Sequence, residues 1–161
     1  MKQDLDLCLD AAREVGVVAR RLKAEGLKVW AKDGGSPVTN ADIAVDDLLR
    51  ERLGAARPDY GWLSEETADD SDRMARSRLF VVDPIDGTVA FLKEKPFWAV
   101  SIAVVEDGQP VVGVVHAPDL DETFIAVAGG GGGLNGAPII ASAIDAVEGC
   151  GMLGDKPMFG H

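Results

Sequence analysis

The decapeptide Leu79-Phe80-Val81-Val82-Asp83-Pro84-Ile85-Asp86-Gly87-Thr88 runs from four apolar residues straight into two carboxylates, a glycine and a hydroxyl. The unbroken apolar run predicts a strand buried on both faces, ending abruptly at Asp83-Pro84. Two carboxylates three positions apart across a proline-stiffened turn can face one point in space. Uncompensated, they repel and one takes up a proton. Hard divalent ions such as Mg2+ are held by oxygen ligands of this kind and reverse the penalty. Ile85 adds its backbone carbonyl. Gly87 lets a backbone approach a ligand without Cβ interference, and a helix starting there offers free N–H groups to a phosphate. Thr88 supplies a hydroxyl that can cap a helix or orient a water molecule.

A plain Asp-Pro turn with a capping aspartate is the bland reading of Asp83 to Asp86, and the attached Gly-Thr weighs against it. The nucleophile motif of haloacid-dehalogenase-type phosphatases, a strand followed by D-x-D-G-T, differs by one residue. That extra residue turns the second aspartate away from the position a general acid needs.

Upstream, Leu5, Cys8, Leu9, Ala12, Val15, Ala19 and Leu22 recur at steps of three and four, which predicts an amphipathic helix ending near Gly26. A second helix begins around Thr39 or Asn40, turns Ile43, Val45, Leu48, Leu49 and Leu53 toward a core, and is bounded by Pro58. Thr39-Asn40-Ala41-Asp42 reads as a capping box. Glu65-Glu66 follows a short apolar piece that fits a strand end, although adjacent glutamates alone usually mark a solvated surface. Thr67 to Arg78 is charge-dense and reads as a surface loop or a short solvated helix. Downstream, Phe97 to Val105 and Val111 to Val115 form a hairpin around Asp107-Gly108, and a third strand covers Thr123 to Ala128. Gly129 to Gly133 and Asn135-Gly136-Ala137-Pro138 make a turn-rich connection into Ile139-Ile140. Two helices before a mostly antiparallel sheet predict α+β, or a layered α/β sandwich.

The chain has 161 residues, the length of one domain. Its 16 Lys and Arg against 27 Asp and Glu give a formal charge of −11, so no basic surface exists to neutralise a nucleic-acid backbone. With 47% hydrophobic and 27% charged residues the chain should fold rather than stay disordered. No apolar run approaches the roughly 18 to 20 residues of a membrane span, and the acidic start is unlike a signal peptide, so a cytoplasmic location is expected. Cys8 and Cys150 lack CxxC spacing and suit reduced thiols. His116, at a strand end, and His161 lie far in sequence from the carboxylate motifs, which gives a phosphohistidine mechanism little support.

Taken in order, V-T-x-A-D at Val38 to Asp42, S-E-E-T at Ser64 to Thr67 and D-P-I-D-G-T at Asp83 to Thr88 together resemble the inositol monophosphatase family of Mg2+-dependent, Li+-sensitive phosphatases. Phe91, the Phe97-Trp98-Ala99-Val100-Ser101-Ile102 strand, Gly113-Val114-Val115 with Ala117-Pro118, and Gly133-Leu134-Asn135-Gly136 continue the likeness to about Ile140. The resemblance implies the sugar-phosphatase fold shared with fructose-1,6-bisphosphatase, a homodimer, and hydrolysis of a small phosphorylated metabolite such as inositol monophosphate by metal-activated water. It makes Glu65, Asp83 and the Ile85 carbonyl ligands of one Mg2+, and Asp83 and Asp86 ligands of a second, with two or three ions in all and Mn2+ as a substitute. Glu65 and Thr88 would polarise the attacking water, with Asp42 beside Thr88. The substrate would rest on Glu65, Ile85, Asp86 and the N–H groups of Gly87 and Thr88. Lys32 corresponds to a basic residue on a mobile loop near the site.

The family continues into a second subdomain with a W-D-x-A-A-type motif whose aspartate completes the second metal site. Residues 1–161 are therefore expected to be the N-terminal metal- and phosphate-binding subdomain, with the substrate subdomain absent and little activity of their own. The 3′(2′),5′-bisphosphate nucleotidases share the three motifs, and Val89-Ala90-Phe91 matches neither group. A catalytically silent remnant is the reading from outside the enzymes.

Overall fold

The first helix, α1 (Lys2–Glu25), keeps one unbroken small-residue stripe, with Cys8, Ala11, Ala12, Val15 and Ala19 all fully buried. It stops at Gly26, whose φ of 106° only glycine adopts readily. The computed structural model describes residues 1–32, 35–146, 148–149 and 151, so Cys150 and His161 lie outside the described residues. A two-stranded ribbon, β1 (Val29–Ala31) against β2 (Pro37–Thr39), leads into α2 (Asn40–Ala56).

Helix α2 starts where the capping box predicts. It departs from the expected apolar stripe at Ile43, which is 41% exposed, while Asp42 and Asp46 are turned inward beside Val45, Leu49 and Leu53. A helix packed on a sheet buries one face, and here the two carboxylates occupy the first turns of that face.

A seven-stranded sheet follows in strict sequence order: β3 (Gly61–Ser64), β4 (Arg78–Asp86), β5 (Ala99–Glu106), β6 (Gln109–Ala117), β7 (Glu122–Val127), β8 (Gly131–Leu134) and β9 (Ala137–Ile139). Only the β3–β4 pair is parallel; the segment between them carries a short 3-10 turn, Ser71–Ala75, in place of a crossover helix. All other neighbours are antiparallel. The predicted hairpin closes at Asp107-Gly108, both with positive φ (48° and 79°), as the tightest two-residue turns require.

Both long helices lie on one sheet face. Phe80, Val82, Ile102, Val104, Val112 and Val114 join α1 and α2 in a single core, each large side chain worth roughly 1.5–3 kcal/mol of burial. The alternate positions Leu79, Val81, Ala103 and Val105 are only half-buried. The strand at Leu79 to Val82 is thus covered fully on one face, not on both, because among the described residues no helix packs on the second side. His116 is buried at 8% exposure with Nδ1 3.0 Å from Thr123 Oγ1, a structural role; burial holds its pKa below the usual value. Cys8 is buried and its thiol is pushed up to about 12, which makes it inert.

Candidate active site

Strand β4 does not end at Asp83. It runs on through Pro84 to Asp86, with Asp83 opposite Ser101 and Asp86 opposite Ala99, three steps along β4 matching two along β5. In a regular strand, residues three apart point to opposite faces. The bulge absorbs the odd residue, so Asp83 and Asp86 sit opposite two positions on the same face of β5. Pro84 is tolerated because the ladder is already broken there.

The chain then turns at Gly87, φ 86°, into the single-turn helix α3 (Thr88–Leu92). A Cβ at Gly87 would stand 2.7 Å from the Phe97 carbonyl oxygen, so both space and dihedral demand glycine. The Thr88 hydroxyl lies 3.1 Å from the Ile85 carbonyl and 3.3 Å from Asp42 Oδ1. Its single proton serves one of these acceptors at a time. Asp42 is 1% exposed, and its Oδ2 accepts from the Thr39 amide (2.8 Å) and hydroxyl (2.5 Å). Capping and the link to Thr88 therefore coexist on one carboxylate.

Glu65 and Glu66 follow the end of β3, where the Glu65 amide donates to the Val82 carbonyl at 3.2 Å. The parallel β3–β4 pairing places Ser64 beside Val82, one residue before Asp83. Lys32 Nζ lies 2.7 Å from Glu65 Oε1 and 2.7 Å from Glu66 Oε1. The Glu66 side chain is only 5% exposed against 52% for Glu65, so the pair is not a solvated surface: it contains one buried acid.

The electrostatics are lopsided. Burial raises the Asp83 carboxyl to about 7, helped by the nearby charges of Glu65 and Asp86. Its Oδ1 is buried without a hydrogen-bond partner. The hydrogen bond from Lys32 holds Glu65 below the usual glutamate range, whereas burial raises Glu66 despite the same lysine. Burial opposes the Lys32 ammonium, but its bonds to the two glutamates outweigh that and raise its pKa.

The donors here are all oxygens, one of them a buried carboxylate oxygen without a hydrogen-bond partner, so the residues present fit a hard divalent ion. Among the described residues no three acidic, histidine or cysteine side chains are yet drawn together tightly enough to enclose one. Beside Asp86 and Gly87 opens a cleft of about 220 Å³, walled by Phe97, Trp98, Leu120 and Phe124.

The Thr88 hydroxyl links Asp42 and the Ile85 carbonyl, while Asp83 has Glu65, Glu66 and Asp86 close enough to act on its charge. Asp46 was not foreseen. It is 3% exposed and accepts hydrogen bonds from the Ser64 and Thr67 hydroxyls on either side of the two glutamates. The available signal was its spacing, four residues after Asp42 on a face that should have been apolar.

The model of the inositol monophosphatase family matches residues 2–151. The chain is similar to an inositol-1-monophosphatase of Mesorhizobium japonicum, 36% identical over 154 residues that cover 92% of this chain and 58% of that protein. It is 42% identical over 129 residues to a histidinol-phosphatase of Mycobacterium tuberculosis, covering 80% and 49%. The chain thus spans about half the length of the curated relatives it matches. The fold superposes on the extragenic suppressor protein suhB of Bartonella henselae with a TM-score of 0.81 at 34% identity, covering 88% of this chain and 55% of that one. The helix-on-sheet layering is accordingly the α+β sugar-phosphatase fold. No helix among the described residues is long and apolar enough to cross a membrane.

Proposed function

Because the chain belongs to the inositol monophosphatase family, we propose that it is the metal- and phosphate-binding portion of a Mg2+-dependent phosphomonoesterase acting on a small phosphorylated metabolite such as inositol monophosphate. The observation that carries this reading is Asp83, whose buried oxygen has no partner in a neighbourhood already too rich in negative charge. Glu65, Asp83, Asp86 and the Ile85 carbonyl would hold Mg2+, with Mn2+ as a substitute. Bound there, the ions would neutralise charge developing on the phosphoryl group and lower the pKa of a water.

The chain's own groups do the rest. Glu65 and Thr88 orient the attacking water, and Asp42, fixed by its cap to Thr39, holds the Thr88 hydroxyl in place. The amides of Gly87 and Thr88 receive the phosphate. Since α3 is a single turn, its dipole adds little, and those amides act as local donors. The cleft beside Gly87 has room for the organic part of a small substrate. Turnover is assigned to the full-length protein, with the 161 residues alone weakly active or inactive.

Calorimetric titration with Mg2+ tests the reading on this chain, which should bind the ion and lose at least about 100-fold in affinity in Asp83→Asn. Equal binding by the two would overturn it. Phosphate release from inositol 1-phosphate, histidinol phosphate and adenosine 3′,5′-bisphosphate by the full-length protein then separates the substrate classes. Turnover of none of the three, with Mg2+ bound, would favour the silent remnant.

A further inference from the structure

Helix α2 carries two buried acids one turn apart, and each reaches a different arm of the site. Asp42 meets Thr88, on the arm that leaves β4. Asp46 meets Ser64 and Thr67, on the arm that leaves β3. The two contacts of Asp46 use both of its oxygens, Oδ1 for Ser64 and Oδ2 for Thr67. Between those hydroxyls stand only Glu65 and Glu66, and the Ser64 oxygen also accepts the Glu66 amide at 3.3 Å. Asp46 therefore grips the four-residue segment at its first and last positions.

We infer that Asp46 is a positioning residue that fixes the Glu65-Glu66 turn so that Glu65 stands at the distance from Asp83 at which those two carboxylates can share a divalent ion. A buried carboxylate is costly unless its oxygens are bonded, so its presence on a face that should be apolar needs a return beyond packing. A hydrophobic residue there would seal the core as well but would leave the turn tied to the buried layer only by the Glu65 amide on Val82, with the Lys32 bonds outside it. Charge-assisted hydrogen bonds are short and directional, which suits a clamp on a segment whose own charges push it away from Asp83. With Asp42 one turn earlier, the rigid helix becomes the common strut that sets the spacing between the arms. This inference rests on the proposed ion site at Asp83.

The test is binding of Mn2+ to the purified 161-residue chain, followed by calorimetry, with thermal unfolding of each metal-free variant in parallel. Asp46→Asn and Thr67→Val should each weaken Mn2+ binding about 5- to 20-fold, and Thr67→Ser, which keeps the hydroxyl, should restore it to within twofold. The Asp46→Asn/Thr67→Val double variant should bind no worse than the weaker single, since both remove one clamp. A merely structural Asp46 would lower the unfolding temperature and leave ion affinity unmoved in Thr67→Val as in Thr67→Ser, and that result overturns the inference. Asp83→Asn is the control that separates the two failures. If it abolishes binding while Thr67→Val does not weaken it, only the role of Asp46 falls. If Mn2+ binds the parent and Asp83→Asn equally, the ion site falls and the inference with it.

Discussion

The two ends of strand β4 each gather a cluster of charges and treat them in opposite ways. At the first end, Arg78 bonds Glu106 (2.7 and 2.9 Å) and the Tyr60 hydroxyl (2.9 Å) and lies 3.6 Å from Asp4, which also binds Arg57 at 2.9 Å. Two acids meet two guanidinium groups, and the network ties the start of α1 and the end of α2 to two strands. At the other end stand Asp42, Glu65, Glu66, Asp83 and Asp86, and among the described residues the one cation paired with any of them is Lys32, on Glu65 and Glu66. A balanced cluster closes upon itself and stabilises the fold. A surplus of one sign, with an orphaned oxygen in it, is stable only relative to something that arrives from solution.

The largest expected effect tests the balanced end. Asp4 is 4% exposed, and its removal leaves Arg57 and Arg78 short of a partner. Asp4→Ala should cost about 2–4 kcal/mol in urea unfolding, somewhat below a fully buried pair because both arginines reach solvent. Its Mg2+ affinity should match the parent. A loss below about 0.5 kcal/mol, or a change in ion binding, would erase the distinction between the two ends.

The next effect has the opposite sign. The Asp83 carboxyl is raised to about 7 in the folded chain by burial and by Glu65 and Asp86. The folded chain therefore keeps a proton that the unfolded chain has released. This group's contribution is complete below about pH 4 and is lost as pH rises to 7. Replacing the acid by its neutral isostere removes the loss. Metal-free Asp83→Asn should be more stable than the parent at pH 8, by roughly 1–3 kcal/mol once partial solvent screening is allowed for. Denaturant unfolding at pH 5 and pH 8 measures it, and a variant less stable than the parent at pH 8 would mean the site is not strained by its own charge. Saturating Mg2+ should narrow the gap by stabilising only the parent.

Much of this was legible in the chain. The Asp107-Gly108 turn specified its hairpin because few residue pairs accept two positive φ angles, and the capping box at Thr39 located the start of α2. The order of the three motifs led to the residues around Asp83. What stayed hidden depends on tertiary layers. The run Leu79 to Val82 does not say which of its faces a helix will cover, and apolarity alone suggested both. Nor does the D-P-I-D spacing disclose a bulge, yet the bulge is what brings the two aspartates to one face. Asp46 was missed, and the Glu65-Glu66 pair alone carried little weight, for one reason: acidic residues are usually solvated, and only a built site rewards burying them. Its hydrophilicity concealed Asp46, while Ile43, which pattern alone assigns to the core, is exposed on the same helix.

The smallest effect concerns the single cation at the crowded end. Lys32 bonds one oxygen from each of Glu65 and Glu66, and those are lone pairs a divalent ion would also seek. The ammonium relieves repulsion in the metal-free state, so it stabilises the reference from which an ion must bind. It also repels the ion directly. Both consequences act in the same direction, and Lys32→Met at pH 8 should bind Mg2+ about three- to tenfold more tightly, roughly 0.7–1.4 kcal/mol, a size suited to a pair that is partly exposed. At lower pH the gain should shrink, because Glu65 loses the partner that keeps it ionised and a proton takes the place of the lysine. Weaker binding at pH 8 would mean that the ammonium organises the glutamates more than it competes for them, and the crowded end would then be a balanced cluster after all, completed by Lys32 and not by an ion.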